Sequence, residues 1–116
     1  MDKISKFTVD CDYDWKAFTD PTPVVFAKWL NVYYHPRRSL RMWDGAESKH
    51  TTKQLFDYFS KEVGSNVNSK DSIEFGEWIL SYFEIWNPDD ITWIDGSGYC
   101  SSTEQIFEEY NDPMNQ

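Results

Sequence analysis

Hydrophobic and polar positions follow one pattern twice along the chain. In the first half, apolar residues recur at helical spacing over residues 25–33 and again over residues 55–63. In the second half, the same spacing covers residues 73–86 and residues 106–110. A short β-prone run followed by Asp-Gly separates the two helical segments of each half. The pattern predicts two copies of a helix, a short strand, a turn and a second helix.

The two halves also match residue by residue. The stretch DGAESKHTTKQLF from Asp44 aligns without a gap with DGSGYCSSTEQIF from Asp95, at an offset of 51 residues and with five identities. Asp-Gly turns and Thr-x-Gln helix starts are common, so chance similarity is the alternative. Because Trp29 also matches Trp78 upstream, we interpret the similarity as a structural repeat and expect both tryptophans in the core.

Several residues predict where the helices begin and end. Thr51–Gln54 and Ser102–Gln105 have the form of a capping box, in which Ser or Thr precedes Gln by three residues. Gly64 is expected to end the second helix, because glycine readily adopts the left-handed conformation found there. Ser72 is the predicted N-cap of a helix over residues 73–86.

The alternation in FTVDCDYDW predicts a strand at about residues 5–15, with its acidic side chains on the face opposite the apolar ones. Copy one then covers about residues 20–63 and copy two about residues 71–112, and residues 64–70 form the linker between them. Two such units bury their apolar sides against each other. We therefore expect a small single domain over residues 1–116, of class α+β, with two pseudo-symmetric copies around a small antiparallel sheet.

Composition supports a folded chain with an uneven charge distribution. The 116 residues are 40% hydrophobic and 18% aromatic, which is enough for a core built from large rings. The chain has 20 Asp and Glu against 11 Lys and Arg, a net charge of −9. Residues 71–116 hold eleven acids and no Lys or Arg, whereas residues 1–70 have a net charge of +2. This balance argues against direct binding to nucleic acid or anionic lipid, whose phosphates attract cations.

The acidic residues form rows that a basic partner could contact. The predicted helix over residues 73–86 places Glu74, Glu77 and Glu84 on one polar stripe about 15 Å long, at 1.5 Å per residue. Solvated faces of an ordinary acidic protein are the alternative. The residues expected to bind the partner are Asp10, Asp12, Asp14, Glu74, Glu77, Glu84, Asp89, Asp90, Asp95, Glu104, Glu108 and Glu109.

The chain has no convincing motif for a metal site or for catalysis. Asp10–Asp14 begins like a calcium loop, but Trp15 replaces the required glycine and Pro21 stands where the last carboxylate belongs. Cys11 and Cys100 lack zinc-ligand spacing, and we expect buried thiols, with a disulfide as the alternative. No nucleotide-binding or nucleophile motif is present. We therefore expect no cofactor, no metal and no enzymatic activity.

The one basic cluster, HPRRSLRMW over residues 35–43, has two interpretations. It could pair with the acidic second copy and hold the two halves together. Alternatively, it could bind an anion or nucleic acid, with Trp43 stacking on a base. We favour the first interpretation.

In size, acidity and aromatic-rich α/β character over the full chain, the sequence resembles the small bacterial DNA-mimic proteins, especially the Neisseria type that binds the histone-like protein HU. The resemblance implies a monomer that occupies the DNA-binding surface of a basic protein, with carboxylates in place of phosphates. No diagnostic motif of those proteins matches, so none of their contact residues can be assigned to a position in this sequence. The alternative is an immunity or antitoxin protein that neutralises a basic nuclease toxin. The N-terminus has no apolar signal segment, so we expect a cytoplasmic protein.

Overall fold

The computed structural model describes residues 14–64, 69–87 and 91–111. Within these ranges the chain forms four α-helices, six short strands and two single-turn 3-10 helices, Trp15–Ala17 and Arg38–Leu40. The main elements are α1 (Thr22–Tyr33), β1 (His35–Arg37), β2 (Met42–Asp44), β3 (Lys49–His50), α2 (Thr52–Val63), α3 (Ser69–Tyr82), β4 (Phe83–Asn87), β5 (Thr92–Asp95), β6 (Cys100–Ser102) and α4 (Thr103–Asn111).

The predicted α+β class with two pseudo-symmetric copies is confirmed. Each copy is a helix, a three-stranded antiparallel meander and a second helix, with strand orders β1-β2-β3 and β4-β5-β6. The prediction of one strand per copy and one small sheet was wrong in detail. Strands of two or three residues are too short to show an alternating pattern, so the sequence did not reveal β1 and β3.

The aromatic core repeats in both copies with nearly the same geometry. Phe26 stacks on Trp29 with ring centroids 6.1 Å apart, and Phe75 stacks on Trp78 at 6.0 Å. Four further contacts recur as matched pairs: Phe26–Phe56 with Phe75–Phe107, Phe26–Phe59 with Phe75–Tyr110, Trp29–Phe59 with Trp78–Tyr110, and Trp29–Tyr33 with Trp78–Tyr82. The sequence similarity therefore reflects one packing arrangement used twice.

Trp43 and Trp93 lie where the two copies meet. Each stands on the middle strand of its sheet, is fully buried, and contacts the other edge to face at 6.2 Å between ring centroids. The indole N–H of Trp43 donates to Thr52 Oγ1 at 2.9 Å, and that of Trp93 donates to Thr103 Oγ1 at 3.0 Å. Both hydrogen bonds join the middle strand to the first residue of the following helix, which satisfies the two buried donors.

The structural equivalence of the two tryptophans differs from the gap-free sequence alignment. Trp43 and Trp93 are 50 residues apart, whereas the capping boxes are 51 apart. The chain reverses between Gly45 and Ser48 in copy one, where the amide nitrogen lies 2.8 Å from the carbonyl oxygen, and between Asp95 and Tyr99 in copy two, at 3.1 Å. One extra residue of copy two therefore lies inside the loop that begins with Asp-Gly, within the stretch that the sequences align without a gap, and another lies upstream, since Trp29 and Trp78 are 49 residues apart.

The helices pack across the copies. α1 packs against α3, and each also contacts the second helix of the other copy. Gly76 lies at this crossing, and a Cβ added there would sit 2.7 Å from Thr52 Cγ2 and 3.3 Å from the Phe26 ring. The helices approach closely at this point because position 76 carries no side chain.

The predicted helix ends are confirmed for α2 and α4. The Gln54 backbone N–H donates to Thr51 Oγ1 at 3.2 Å, and the Thr51 N–H donates to Gln54 Oε1 at 2.9 Å. Ser102 and Gln105 form the same reciprocal pair, at 3.2 and 2.8 Å. Gly64 follows α2 with φ of +73°, as predicted for a left-handed C-cap.

The prediction for α3 was wrong at both ends. The helix covers Ser69–Tyr82 instead of residues 73–86, and Ser72 is buried inside it instead of capping it. The chain leaves the helix after Tyr82 because the next residues pair with β5, Phe83 opposite Asp95 and Glu84 opposite Ile94. Period-two burial begins there, with Phe83 buried and Glu84 exposed.

Other expectations fall partly outside the described residues. The predicted strand over residues 5–15 lies outside them except for Asp14 and Trp15, which precede and begin a 3-10 helix. Of the predicted linker 64–70, residues 65–68 lie outside, and Ser69 already belongs to α3. Cys11 also lies outside, whereas Cys100, expected to be buried, is an exposed free thiol on β6.

None of the described helices combines the length and the apolar character needed to cross a membrane.

Candidate partner-binding surface

The structure places eight of the twelve acidic residues expected to bind a partner. Asp10, Asp12, Asp89 and Asp90 lie outside the described residues. Asp95 is partly buried. The remaining side chains are exposed, and they are Asp14, Glu74, Glu77, Glu84, Glu104, Glu108 and Glu109.

Most of these carboxylates have no cationic neighbour among the residues that the structure describes. Glu104 lies 3.2 Å from Lys28 Nζ, which also contacts Asp20 at 3.2 Å. In the described ranges, Glu104 is the only one of the eight acids with a Lys or Arg nitrogen within 4.0 Å. The ion pair with Lys28 joins α4 of copy two to α1 of copy one, so part of the charge difference between the copies serves the fold.

The predicted stripe of glutamates on one helix does not form as expected. Glu74 and Glu77 are on α3, but Glu84 lies on β4 because the helix ends at Tyr82. The acidic residues of copy two therefore extend over a helix, a sheet edge and α4 instead of following one helix face.

An open groove on copy two brings two of the predicted residues together. It has a volume of about 500 Å³, and Asp95 and Glu109 lie on its walls. The other lining residues are Trp78, Tyr82, Phe83, Gly96 and Ser97. Sequence reasoning placed Trp78 in the core with Trp29 and did not identify Tyr82 as a site residue. The acidic residues around an aromatic segment were the available signal.

Hydrogen bonds within the loop hold Asp95 in its charged form. Its Oδ1 accepts from the Ser97 hydroxyl at 2.7 Å, the Ser97 N–H at 2.9 Å and the Tyr99 N–H at 3.0 Å. The Ser97 hydroxyl and then the Tyr99 backbone N–H lower the pKa of Asp95 below its ordinary value. The groove therefore keeps a negative charge at Asp95 throughout the neutral range.

A second sign of negative potential comes from Tyr110. Its ring lies 5.2 Å from that of Trp78, measured between centroids. Burial, and then the carboxylates of Glu74 and Asp71, raise the pKa of the Tyr110 phenol. The carboxylates of Glu74 and Asp71 on α3 therefore add negative potential at the phenol of Tyr110, which is the residue after Glu109 of α4.

In the corresponding region of copy one, contacts within the chain bury the matching tryptophan, and a smaller groove of about 280 Å³ is lined by Tyr58, Lys61 and Glu62. Trp29, the counterpart of Trp78, is fully buried and donates its indole N–H to Glu62 Oε2 at 2.6 Å. The Trp15 indole N–H donates to the Tyr33 hydroxyl at 3.1 Å, and the two rings are in edge contact. In copy two, Trp78 is only half-buried.

The basic cluster over residues 35–43 makes a described ion pair within copy one: the guanidinium of Arg37 pairs with Asp44. Whether the cluster also pairs with Asp89 and Asp90 of copy two stays a prediction, since those two acids lie outside the described residues. Trp43 is fully buried and bonded to Thr52, so it offers no surface for a base to stack on. Arg38 and Arg41 are exposed and have no carboxylate within 4.0 Å in the described part of the chain.

Nowhere in the described ranges do three His, Cys, Asp or Glu side chains lie close enough together to hold a metal ion.

Compared with known protein families, curated proteins and solved structures, the chain shows no significant match.

Proposed function

We propose that the protein is a cytoplasmic, monomeric, non-enzymatic DNA mimic. Its acidic copy two occupies the DNA-binding surface of a basic DNA-binding protein such as histone-like HU. Carboxylates take the place of phosphates, and the partner's Lys and Arg side chains are neutralised as they are on DNA.

The observation that carries the proposal is the internal comparison of the two copies. Copy one builds the same helices, meander and ring contacts without the acidic residues of copy two. Apart from Glu104, which pairs with Lys28, and Asp95, which accepts hydrogen bonds within its loop, no described acid of copy two makes a side-chain ion pair or hydrogen bond of this kind. Self-repulsion among eleven acids in residues 71–116 opposes a compact state, and most of the described ones have no Lys or Arg nitrogen within 4.0 Å among the described residues. A binding role accounts for the acids that have no such contact among the described residues.

A direct test measures displacement of DNA. A fluorescein-labelled duplex bound to purified HU gives high anisotropy, and added protein is expected to lower it to the free-DNA value. The apparent affinity should fall steeply as salt rises, because charged contacts are screened. Unchanged anisotropy at low salt, with excess protein, would reject HU as the partner.

The exposed ring of Tyr82, beside the partly buried ring of Trp78, favours a second candidate, an immunity protein against a basic nuclease toxin. Exposed tryptophan and tyrosine are typical anchors of dedicated protein interfaces. This candidate predicts tight binding to a single nuclease and loss of its activity, with no displacement of DNA from HU. The anisotropy assay therefore separates the two candidates.

A further inference from the structure

We propose that the groove between α3, α4 and the β5–β6 loop is a binding site for an arginine side chain of a basic protein partner. The guanidinium would lie on the rings of Trp78 and Tyr82, with the carboxylates of Asp95 and Glu109 beside it. The inference rests on the proposed function in taking the partner to be a basic protein.

The walls of the groove suit a flat cation. Trp78 and Tyr82 have ring centroids 5.9 Å apart and supply aromatic surface, and Tyr82 is 58% exposed. Trp and Tyr faces attract guanidinium groups through the ring quadrupole. The volume of about 500 Å³ falls within the roughly 300–1,000 Å³ usual for ligand sites.

Charge complementarity identifies the occupant as a cation. Asp95 and Glu109 line the groove, and neither has a Lys or Arg nitrogen within 4.0 Å among the described residues. Because residues 71–116 contain no Lys or Arg, copy two cannot supply the cation itself. Two carboxylates beside an aromatic wall favour arginine over lysine, since the planar guanidinium can stack on a ring and also donate hydrogen bonds to a carboxylate.

The described parts of the two copies differ around the matching tryptophans. In copy one, Trp15 packs onto Tyr33, and Trp29 is buried with its indole N–H bonded to Glu62. In copy two, no described residue accepts a hydrogen bond from the indole N–H of Trp78. Among the described residues, the tryptophan is therefore bonded and buried in copy one and partly exposed in copy two.

The test uses NMR on the full-length protein. The indole N–H resonance of Trp78, assigned from Trp78→Phe, is followed while N-acetyl-arginine amide is added. N-acetyl-citrulline amide, which has nearly the same shape and no charge, is the matched control ligand. We expect a saturable shift of this resonance with the arginine compound and no saturable shift with the citrulline compound.

Glu109→Gln removes one carboxylate at an exposed position and should weaken binding of the arginine compound at least threefold. Glu47→Gln, an exposed acid of copy one, should leave it unchanged. Equal shifts with both ligands, or unaltered binding of the arginine compound to the Glu109→Gln variant, would refute the proposed arginine site. If wild-type protein binds the arginine compound in this way but fails to displace DNA from HU, the arginine site is supported and the HU proposal fails.

Discussion

At the scale of single residues, the repeat provides internal controls. Tyr34 and Phe83 occupy equivalent positions, each packing on the matching tryptophan, at 5.3 Å from Trp29 and 5.2 Å from Trp78. The Tyr34 hydroxyl is buried and has no hydrogen-bond partner among the described residues. Burial, and then the neighbouring Tyr58 and Glu62, raise its pKa far above the ordinary value. Copy two avoids this unpaired group by using phenylalanine.

Tyr34→Phe is therefore expected to raise the free energy of unfolding by about 1 kcal/mol, because it removes an unsatisfied buried hydroxyl. The folded-state pKa of Tyr34 is raised, so the unfolded state loses its phenol proton first as pH rises above the ordinary value of 10.0. The free energy of unfolding is therefore undiminished by this group below pH 10.0 and falls as pH rises above it. The variant should lose less stability in this alkaline range. Urea unfolding at pH 7 and above pH 10 measures both effects.

Tyr99→Phe is the matched control, since Tyr99 is 66% exposed and the change should leave stability nearly unaltered. A destabilised Tyr34→Phe protein would show that the hydroxyl has a partner.

At the scale of secondary-structure elements, close contact between α1 and α3 and the two buried tryptophans fix how the copies meet. Gly76 permits the helix crossing, and Thr52 stands directly opposite it. Thr52 cannot move aside easily, because its hydroxyl accepts the indole N–H of Trp43. The helix crossing and the strand-to-helix hydrogen bond therefore share a residue.

Gly76→Ala should lower the free energy of unfolding by about 1–3 kcal/mol through overpacking against Thr52. Gly96→Ala is the control, because a Cβ at position 96 meets no atom within 4 Å. Equal stability of Gly76→Ala and wild type, in chemical denaturation, would mean that the helices separate without cost.

The paired tryptophan hydrogen bonds give a test of the symmetry. Thr52→Val and Thr103→Val each leave a buried indole N–H without its acceptor, and each should cost about 1–3 kcal/mol. Similar losses in thermal or urea unfolding are expected. A large loss at one position and none at the other would show that the two copies do not share the energetic role that their geometry suggests.

At the scale of the whole molecule, the sequence predicted what local chemistry determines. The capping boxes at Thr51 and Ser102 and the stop at Gly64 depend on neighbouring residues alone, and they were confirmed. The end of α3 was wrong because pairing with β5 outweighs the helical pattern beyond Tyr82. Trp78 was assigned to the core because it matches Trp29.

The groove could not be predicted, because its opening depends on parts of the chain distant in sequence. Its walls come from α3, the β5–β6 loop and α4, which the fold brings together. The uneven charge was visible in the sequence. The role of Glu104 as the partner of Lys28 became apparent only when α1 and α4 were placed side by side.

The central claim is that the position of the acids, and not the net charge alone, creates the binding surface. Two double variants change the net charge equally: Glu84→Gln with Glu108→Gln in copy two, and Glu47→Gln with Asp57→Asn in copy one. All four side chains are exposed, and none lines the groove. The deciding measurement is the dissociation constant for HU at low salt, by titration calorimetry.

The copy-two variant is expected to bind about tenfold more weakly, a loss of ~1.4 kcal/mol, while the copy-one variant stays near wild type. Equal weakening by both variants, or unchanged binding by the copy-two variant, would contradict the claim that the acidic surface of copy two meets the partner.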